Sequence, residues 1–361
     1  MPIIYNGSSL QSVCYNGEAL RKVYLDGNLV FSSFSGIDKL STSLNVSEPG
    51  YGIAATSVGN YALFGGGCNT NTIQAISSMT AISSSLTKLT TTGLSVAREG
   101  LVATRVGNYA LFGGGQQLST YSDVVDAYDT SLTRHTPAVL SLGRSRLAAT
   151  SIGNYALFGG GYRYSDGRST YSDVVDAYDT SLTRIVASSL YFGRDHLAAT
   201  SIGGYAIFAG GRDSDTLDTT DAYNTSLTRI IGSNLSVGRR ALAATSVGNY
   251  ALFGGGGNDD NSYSTVDAFD SGLTRHTATS LSLSRHDLAA TSVGNYALFG
   301  GGEYNDTDYA VVDAYDPSII RTVYTSLSIS RHGLAATSIG DYALFGGGDG
   351  TNVIDVYEFA P

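Results

Sequence analysis

A nine-residue segment, Gly-Asn-Tyr-Ala-Leu-Phe-Gly-Gly-Gly, recurs seven times with small changes along this chain of 361 residues. Each copy contains one anchor tyrosine, and the seven anchors are Tyr61, Tyr109, Tyr155, Tyr205, Tyr250, Tyr296 and Tyr342. Successive anchors lie 48, 46, 50, 45, 46 and 46 residues apart. Repeats of this length are typical of four-stranded propeller blades, and such units bury a core only by stacking on their neighbours.

Each unit reads as four short strands separated by turns. In the third copy, residues 147–152 precede a Gly-Asn turn, residues 155–158 precede the glycine cluster, and residues 174–179 follow a variable loop. A two-residue Gly-Asn connection predicts a tight hairpin in which both turn residues have positive φ. The first strand consists of small residues, which predicts that it crowds a central axis. The second strand is apolar on both faces, which predicts burial between neighbouring blades.

Composition excludes several classes of protein. The 45 glycines show no three-residue period, so collagen is excluded, and 42% hydrophobic residues are too many for a disordered chain. A formal charge of −10 argues against a nucleic-acid partner. No apolar run is long enough for membrane insertion, and the N-terminus lacks the features of a signal peptide, so we expect synthesis in the cytoplasm. Cys14 and Cys68 lack metal-ligand spacing and are expected to be ordinary thiols. We expect no cofactor.

The glycine cluster, the repeat spacing and the Asp-Ala-Tyr-Asp strand resemble the kelch-repeat family of β-propellers over residues 34 to 361. The resemblance implies an all-β, seven-bladed propeller of four-stranded antiparallel blades. One feature departs from the family pattern, because kelch units usually carry a tryptophan on the fourth strand and this chain has no Trp.

The two ends of the chain predict how the ring closes. The chain ends in a match to the third strand of a unit, so the last blade lacks its fourth strand. Residues 34 to 46, which include Ile37, Leu40 and Leu44, are expected to supply that strand. Sharing one blade between both ends removes the free sheet edge that invites aggregation.

Residues 1 to 33 follow a different pattern and form a separate predicted domain. Tyr5-Asn6-Gly7, Tyr15-Asn16-Gly17 and Leu25-Asp26-Gly27 recur every ten residues between apolar flanks, which predicts β-hairpins. This segment resembles the hairpin modules at the starts of phage and prophage tail structural proteins. The resemblance implies attachment to a larger tail assembly and a location on the virion tail. The alternative is a small β appendage packed on the propeller.

A binding surface is predicted on the face that carries the variable loops. Turns on the opposite face are nearly identical between repeats, whereas the loops between the second and third strands differ, and loops on a rigid frame can diverge without loss of the core. Aromatic and polar side chains in these loops suit recognition of a glycan or a protein. The candidate stacking residues are Tyr162, Tyr164, Tyr263, Tyr304 and Tyr309.

Six arginines, each eleven residues before an anchor tyrosine, are candidates for the mouth of the ring. They are Arg98, Arg144, Arg194, Arg239, Arg285 and Arg331. In kelch propellers side chains at this junction often line the central pocket, so the arginines are candidate ligand contacts that donate in a planar fork. The alternative is structural, since repeated aspartates such as Asp126, Asp176, Asp267 and Asp313 are natural partners for repeated arginines.

Three non-repeated histidines stand beside these arginines, namely His196, His286 and His332. They are predicted to reach the mouth as hydrogen-bonding groups, because no His-x-His or Glu-x-x-His spacing supports a metal site. Asp213, Asp215 and Asp218 offer hard oxygens for calcium, but they lack the spacing of an EF-hand. No metal site is therefore predicted, with these aspartates as a weak calcium candidate.

Three functions remain open from the sequence. The first is a non-enzymatic binding or adhesion propeller, associated with a phage or prophage tail, that recognises a glycan or protein. The second is an intracellular interaction scaffold that binds an acidic peptide at an arginine-lined mouth. The third is a sugar-modifying enzyme that uses His196, His286 or His332. Because no nucleophile elbow, P-loop or dinucleotide fingerprint is present, we expect no enzymatic activity.

Overall fold

The computed structural model describes residues 36–360, together with four short strands between residues 13 and 32. None of the described residues is helical, and within them no helix is long and apolar enough to cross a bilayer. The early strands form two antiparallel pairs, in which Val13–Tyr15 pairs with Glu18–Leu20 and Lys22–Leu25 pairs with Asn28–Ser32. These pairs flank two of the three predicted hairpin turns. The first predicted turn, around Asn6, lies outside the described residues, as does the predicted domain boundary between residues 33 and 34.

Seven four-stranded antiparallel sheets form the blades, numbered here 1 to 7, with strands a to d. The strands of blades 1 to 3 are Ala54–Val58, Tyr61–Gly65, Met79–Ser83 and Lys88–Thr90; Val102–Val106, Tyr109–Gly113, Val125–Asp129 and Arg134–His135; Ala148–Ile152, Tyr155–Gly159, Val175–Tyr178 and Arg184–Val186. Those of blades 4 and 5 are Ala198–Ile202, Tyr205–Ala209, Thr220–Tyr223 and Arg229–Ile231; Ala243–Val247, Tyr250–Gly254, Val266–Phe269 and Arg275–Thr277. Those of blades 6 and 7 are Ala289–Val293, Tyr296–Gly300, Val312–Tyr315 and Arg321–Tyr324; Ala335–Ile339, Tyr342–Gly346, Ile354–Ala360 and Gly36–Leu40.

The loops between strands b and c carry further short strands in four blades. Their bounds are Cys68–Asn69 and Gln74–Ala75 at blade 1; Gln116–Gln117 and Thr120–Tyr121 at blade 2; Tyr162–Ser165 and Arg168–Tyr171 at blade 3; Glu303–Tyr304 and Thr307–Asp308 at blade 6. A further short strand, Gly50–Tyr51, precedes strand a of blade 1 and pairs with Cys68–Asn69.

The strands a surround a central channel. Strand a of each blade contacts strand a of the next blade, including blade 7 against blade 1, so the ring is closed. One end of the channel is a cavity of about 390 Å³ lined by the alanine, threonine and serine side chains of the strands a. The prediction that this strand is small because it crowds the axis is confirmed.

The hydrophobic core lies between blades, as predicted. One cluster joins Leu157 and Val175 of blade 3 to Phe208 and Tyr223 of blade 4, all of them fully buried. Contact is close where strand b ends in glycine, because a Cβ atom on Gly159 would lie 2.7 Å from Cε1 of Phe208 in the next blade. The first glycine of the cluster is therefore required by the packing of one blade on the next.

The second glycine of the cluster is required by the backbone. Gly160 has φ +73, and a Cβ atom there would stand 2.7 Å from the carbonyl oxygen of Arg194. A side chain at this position would be strained by its own conformation and blocked by the neighbouring link, the segment that joins strand d of one blade to strand a of the next.

The turn between strands a and b differs from the prediction. Gly153 has φ +53, but Asn154 does not have positive φ. Positive φ at the first central residue alone is the type II′ pattern, which also matches the twist of a hairpin. Both residues are left-handed where the turn is Gly203-Gly204.

Blade 7 is closed by both ends of the chain, as predicted. Strand Gly36–Leu40 pairs antiparallel with Ile354–Ala360, with Lys39 opposite Tyr357. The predicted segment extends beyond the strand, because Leu44 and Val46 pack into the cluster between blades 7 and 1. The amide N–H of Val46 donates to the carbonyl of Asn352 at 2.8 Å.

Candidate functional site

The links and the loops between strands b and c share one face of the ring, called here the variable face. The link residue after five of the six repeated arginines forms a β-bridge with the start of the loop in its own blade, as Ser145 does with Tyr162 and His286 with Glu303. The sequence prediction of a single face for these segments is therefore confirmed.

The six repeated arginines do not line the mouth, because each of them is fully buried. Arg144 illustrates their role. Its Nη2 donates to Asp176 Oδ2 at 3.0 Å and to the carbonyl oxygen of Phe158 at 3.1 Å, and its Nη1 donates to the carbonyl oxygen of Leu142. Desolvation lowers the pKa of the Arg144 guanidinium, although Asp176 opposes the effect. A buried guanidinium requires such a partner.

This arrangement recurs in six blades and fastens each link to the blade that follows it. Asp176 also accepts from the backbone N–H of Ser141 in the link and from Arg184 on strand d. The buried pairs are Arg98–Asp126, Arg144–Asp176, Arg194–Asp221, Arg239–Asp267, Arg285–Asp313 and Arg331–Asp355. The expectation that these arginines contact ligand is corrected, because a side chain with no exposed surface cannot reach one.

Blade 1 replaces the ion pair with neutral groups. Gly50 stands where the arginine would be, and Thr80 stands where the aspartate would be. The Thr80 hydroxyl accepts from the backbone N–H of Ser47 at 2.9 Å, so the link is still fastened.

A ring of backbone hydrogen bonds surrounds the axis at the variable face. Its members stand two residues after each arginine position and all have left-handed φ; they are Gly52, Gly100, Arg146, His196, Ala241, Asp287 and Gly333. The N–H of each of six members donates to the carbonyl of a neighbouring member, as His196 does to Arg146 at 3.0 Å. Three blades place glycine in this strained conformation, whereas four place a side chain there. Strain of this kind is common at functional sites.

Above this ring lies a cavity of about 330 Å³, called here the mouth cavity. Its walls include Arg146 and His196 on one side and Asp287, Glu303 and His332 on the other. The remaining lining residues are Tyr51, Gly52, Glu99, Gly100, Gln116, Ser145 and Gly333. The cavity is therefore polar and carries opposite charges on opposite walls.

A buried carboxylate holds the cationic wall in place. Asp195 is fully buried, and its Oδ2 lies 3.1 Å from His196 Nδ1 and 3.9 Å from Arg146 Nη1. Its Oδ1 lies 3.5 Å from Arg212 Nε. Asp195 thus concentrates three nitrogen-bearing side chains on one side of the mouth.

The opposite wall contains His332, and His286 stands beside it without lining the cavity. His286 Nε2 lies 3.6 Å from Glu303 Oε1, and His332 Nδ1 lies 2.8 Å from Asp308 Oδ1. Burial lowers the pKa of His332, but the Asp308 hydrogen bond and the Glu303 charge raise it overall above its ordinary value. Two of the three predicted histidines, His196 and His332, thus line the mouth cavity on opposite sides, whereas His286 does not line it.

Tyr51 completes the wall at blade 1. A hydrogen bond with Cys68, together with burial, raises the pKa of Tyr51 to about 12. The phenol therefore remains neutral and is able to donate a hydrogen bond at physiological pH. Cys68 itself is a buried free thiol.

The predicted tyrosines are spread over the variable face and do not form one platform. Tyr162 packs against Tyr121 and Tyr171 at centroid distances of 5.9 and 5.5 Å, and Arg146 stands over its ring. Tyr164 is 53% exposed, whereas Tyr263, Tyr304 and Tyr309 are half-buried in the loops of blades 5 and 6. None of the five lines the mouth cavity.

The weak calcium candidates do not gather into a ligand set. Asp213 Oδ1 accepts from the backbone N–H of Asp215, and Asp218 Oδ1 accepts from Asn234. Within residues 36–360, two groups of three ligating side chains have donor atoms within 4.8 Å, and both contain Glu303. Neither includes the three aspartates.

Sequence reasoning missed four charged residues of the mouth, namely Glu99, Arg146, Asp287 and Glu303. A signal was available for two of them. Arg146 and Asp287 occupy a repeat position where three other copies have glycine. A charged residue found in only one copy at such a position indicates a role other than building the blades.

A solved structure titled "Structure of YjhT" is similar to this chain, with 14% sequence identity and a TM-score of 0.58. The similarity covers 73% of this chain and 95% of that chain. No family model matches the sequence, and no curated protein matches it. YjhT has a kelch-like propeller fold, and at this identity the likeness shows the fold alone. The chain is accordingly a repeat β-propeller built from four-stranded antiparallel blades.

Proposed function

We propose that this protein is a non-enzymatic binding propeller that recognises a glycan on its variable face, with a terminal sugar in the mouth cavity. The observation that carries the proposal is that charged side chains found in single repeats only, such as Arg146 and Asp287, line one cavity at the mouth of the ring. Its volume of about 330 Å³ lies within the range of small-molecule sites, roughly 300–1,000 Å³.

The chemistry of the walls suits a polyhydroxylated ligand. Hydroxyl groups both donate and accept, and the cavity offers carboxylate acceptors at Glu99 and Asp287 beside a guanidinium donor at Arg146. The exposed ring of Tyr164 on the same face provides an apolar surface for the next sugar unit.

The acidic-peptide alternative has lost its main support. It required the six repeated arginines at the mouth, and all six are buried in ion pairs. The enzyme alternative would use His196, His286 or His332, and two of these, His196 and His332, line the mouth cavity. We propose binding without turnover, and release of a modified product from any sugar in the panel below would contradict it.

The test is titration of the full-length protein with a panel of oligosaccharides. Arg146→Gln should weaken binding about tenfold, the effect of losing roughly 1.4 kcal/mol from a charged hydrogen bond. Arg105→Gln is the matched control, because Arg105 lies at the opposite end of the channel. The proposal would be overturned if wild type and Arg146→Gln bound the sugars with equal affinity, or if Arg105→Gln lost as much affinity as Arg146→Gln. It would also be overturned if the protein bound no oligosaccharide and bound only protein ligands.

We place the proposed binding role on a phage or prophage tail-like particle, with residues 1 to 33 as the attachment segment. The support is that the ring closes with Gly36–Leu40 and needs no earlier residue, while earlier residues form strand pairs of their own. Immuno-electron microscopy with an antibody to the propeller tests this. Label on tail-like particles supports attachment, and protein found only free of particles contradicts it.

A further inference from the structure

Two histidines and three carboxylates meet on the rim of the mouth where blades 5, 6 and 7 adjoin. His286 and Asp287 lie in the link before blade 6, Glu303 and Asp308 lie in its b–c loop, and His332 lies in the link after it. We propose that His286 Nε2, Asp287 Oδ2 and Glu303 Oε1 bind one divalent metal ion of the borderline class represented by Zn²⁺.

The orientation of the His286 ring is set by the backbone. Nδ1 lies 2.8 Å from the carbonyl oxygen of Glu303. Because a carbonyl oxygen can only accept, Nδ1 carries the proton, and Nε2 of the neutral ring holds a lone pair. Donation of one ring N–H to a backbone carbonyl is the usual arrangement behind a metal-bound histidine.

That lone pair points to two further electron-pair donors. Nε2 lies 3.7 Å from Asp287 Oδ2 and 3.6 Å from Glu303 Oε1, and the three donor atoms lie within 4.8 Å of one another. While the ring is neutral, none of the three atoms carries a proton to share with the others. Three lone-pair atoms converging on one point are stabilised by a cation placed between them.

The spacing suits a small ion. Ligand atoms held tetrahedrally at 2.0–2.1 Å from a zinc ion stand roughly 3.3 Å apart. The two distances from His286 Nε2, 3.7 and 3.6 Å, exceed that value by a few tenths of an ångström, and the side chains stand on a partly exposed rim where they can adjust.

The neighbouring group around His332 is not assigned the ion. His332 Nδ1 already lies at hydrogen-bond distance, 2.8 Å, from Asp308 Oδ1, so that pair is satisfied internally. Glu303 joins the two groups, since its Oε2 lies 3.7 Å from His332 Nδ1 while its Oε1 faces His286. Asp308 and His332 therefore lie outside the proposed ligand set.

The mixed donor set decides the class of metal. One imidazole nitrogen and two carboxylate oxygens suit a borderline ion such as Zn²⁺, whereas Ca²⁺ and Mg²⁺ prefer sets composed of oxygen alone. The site differs from the all-aspartate calcium candidate of the sequence in both position and chemistry. It shares Asp287 with the glycan proposal, and the two proposals are tested separately because metal binding is measured without any sugar present.

The experiment titrates metal-free, full-length protein at pH 7 with Zn²⁺ by calorimetry, with Ca²⁺ as the hard-ion comparison. Wild type should bind one Zn²⁺ per chain and show no comparable affinity for Ca²⁺. His286→Gln and Glu303→Gln should each weaken Zn²⁺ binding on the order of 100-fold. Loss of a residue that only supports a metal ligand already weakens binding by up to about 100-fold, and these two residues are ligands themselves. Zn²⁺ should also raise the thermal midpoint of wild type but not of these variants.

Two control variants keep the result specific. His276→Gln removes a histidine paired with Asp270 at 2.8 Å on an outer strand, and it should bind Zn²⁺ like wild type. Asp308→Asn should stay within a few-fold of wild type. The assignment would be overturned if wild type showed no saturable Zn²⁺ binding or if His286→Gln bound Zn²⁺ like wild type. It would also be overturned if Asp308→Asn or His276→Gln lost as much Zn²⁺ affinity as Glu303→Gln. Circular dichroism of each variant checks that the ring is folded.

Discussion

Lys39 Nζ lies 2.8 Å from Asp355 Oδ1 and thereby joins the two strands that close the ring. In blades 2 to 6 the equivalent strand d position is arginine, and in each of them the side chain reaches the aspartate of strand c. Burial raises the pKa of Asp355, but the Lys39 hydrogen bond and the Arg331 charge lower it overall. The closing blade thus has the same strand d to strand c ion pair as blades 2 to 6, with the basic residue supplied by the N-terminal part of the chain.

Loss of this ion pair should weaken the closure. Lys39→Met is expected to lower the free energy of unfolding by about 1.5–3 kcal/mol, the contribution of a hydrogen bond to a charged group. Lys39→Arg is the matched control and should be close to wild type, because arginine occupies this position in five other blades. Urea unfolding followed by circular dichroism measures both. Equal stability of Lys39→Met and wild type would contradict this account of closure.

The buried Arg144–Asp176 pair should show strong coupling. Arg144→Met alone leaves a fully buried carboxylate with fewer partners and should cost about 3–5 kcal/mol. The double variant Arg144→Met with Asp176→Asn should recover most of that loss, because the buried charge is gone and the Asn oxygen can still accept from Ser141. Blade 1 already folds with the neutral residues Gly50 and Thr80. Additive losses in the double-mutant cycle would show that the pair is not coupled.

The ring was predictable because repetition supplies seven observations of one unit. The glycine cluster, the small strand a and the missing fourth strand each follow from packing that every blade must satisfy. The role of Arg144 was open from sequence because the spacing of a repeated arginine is the same whether it is buried or exposed. The burial of Arg144 became clear only from the structure, in which Asp176 lies within hydrogen-bond distance of its guanidinium.

The candidate metal site was beyond the reach of spacing rules. His286 and Glu303 come from a link and a loop that the sheet brings together, so no short motif connects them. Lys39 was likewise hidden, because it lies before the first repeat and differs in type from the arginines it replaces. In both cases the missing information was the register of one segment against another.

Acid should destabilise the fold through carboxylates whose pKa is lowered. A hydrogen bond from His276, followed by one from the backbone N–H of Thr274, lowers the pKa of Asp270. A lowered folded-state pKa adds stability that is present above the unfolded value, near 3.9, and is lost as pH falls through the folded value. The unfolding free energy should therefore decline as pH falls below about 4.

Asp270→Asn provides the matched variant for this pH dependence. In blade 4 the same turn carries Asn224, whose Oδ1 accepts from the backbone N–H groups of Ser226 and Thr228. Asp270→Asn should thus keep the turn and decline less steeply in acid than wild type. Urea midpoints at pH 7, 5 and 3.5 give the comparison, and a steeper decline in the variant would refute the assignment.

The left-handed ring at the mouth predicts a conflict between stability and binding. Ala241 has φ +54 in a position that three other blades give to glycine, and its methyl group carries none of the polar chemistry of the mouth. Ala241→Gly should raise the free energy of unfolding by about 1 kcal/mol, since the left-handed conformation costs an L-residue roughly 1–2 kcal/mol. His196→Gly relieves the same strain but removes a partner of the buried Asp195, so it should gain less than Ala241→Gly. It should also lose glycan affinity, because the strained residue holds its imidazole at the cavity wall. Thermal midpoints and sugar titrations of the two variants separate these effects. We expect Ala241→Gly to be more stable than wild type and to bind the sugar unchanged, and His196→Gly to be stable but unable to bind it. A destabilised Ala241→Gly would show that the ring is not strained.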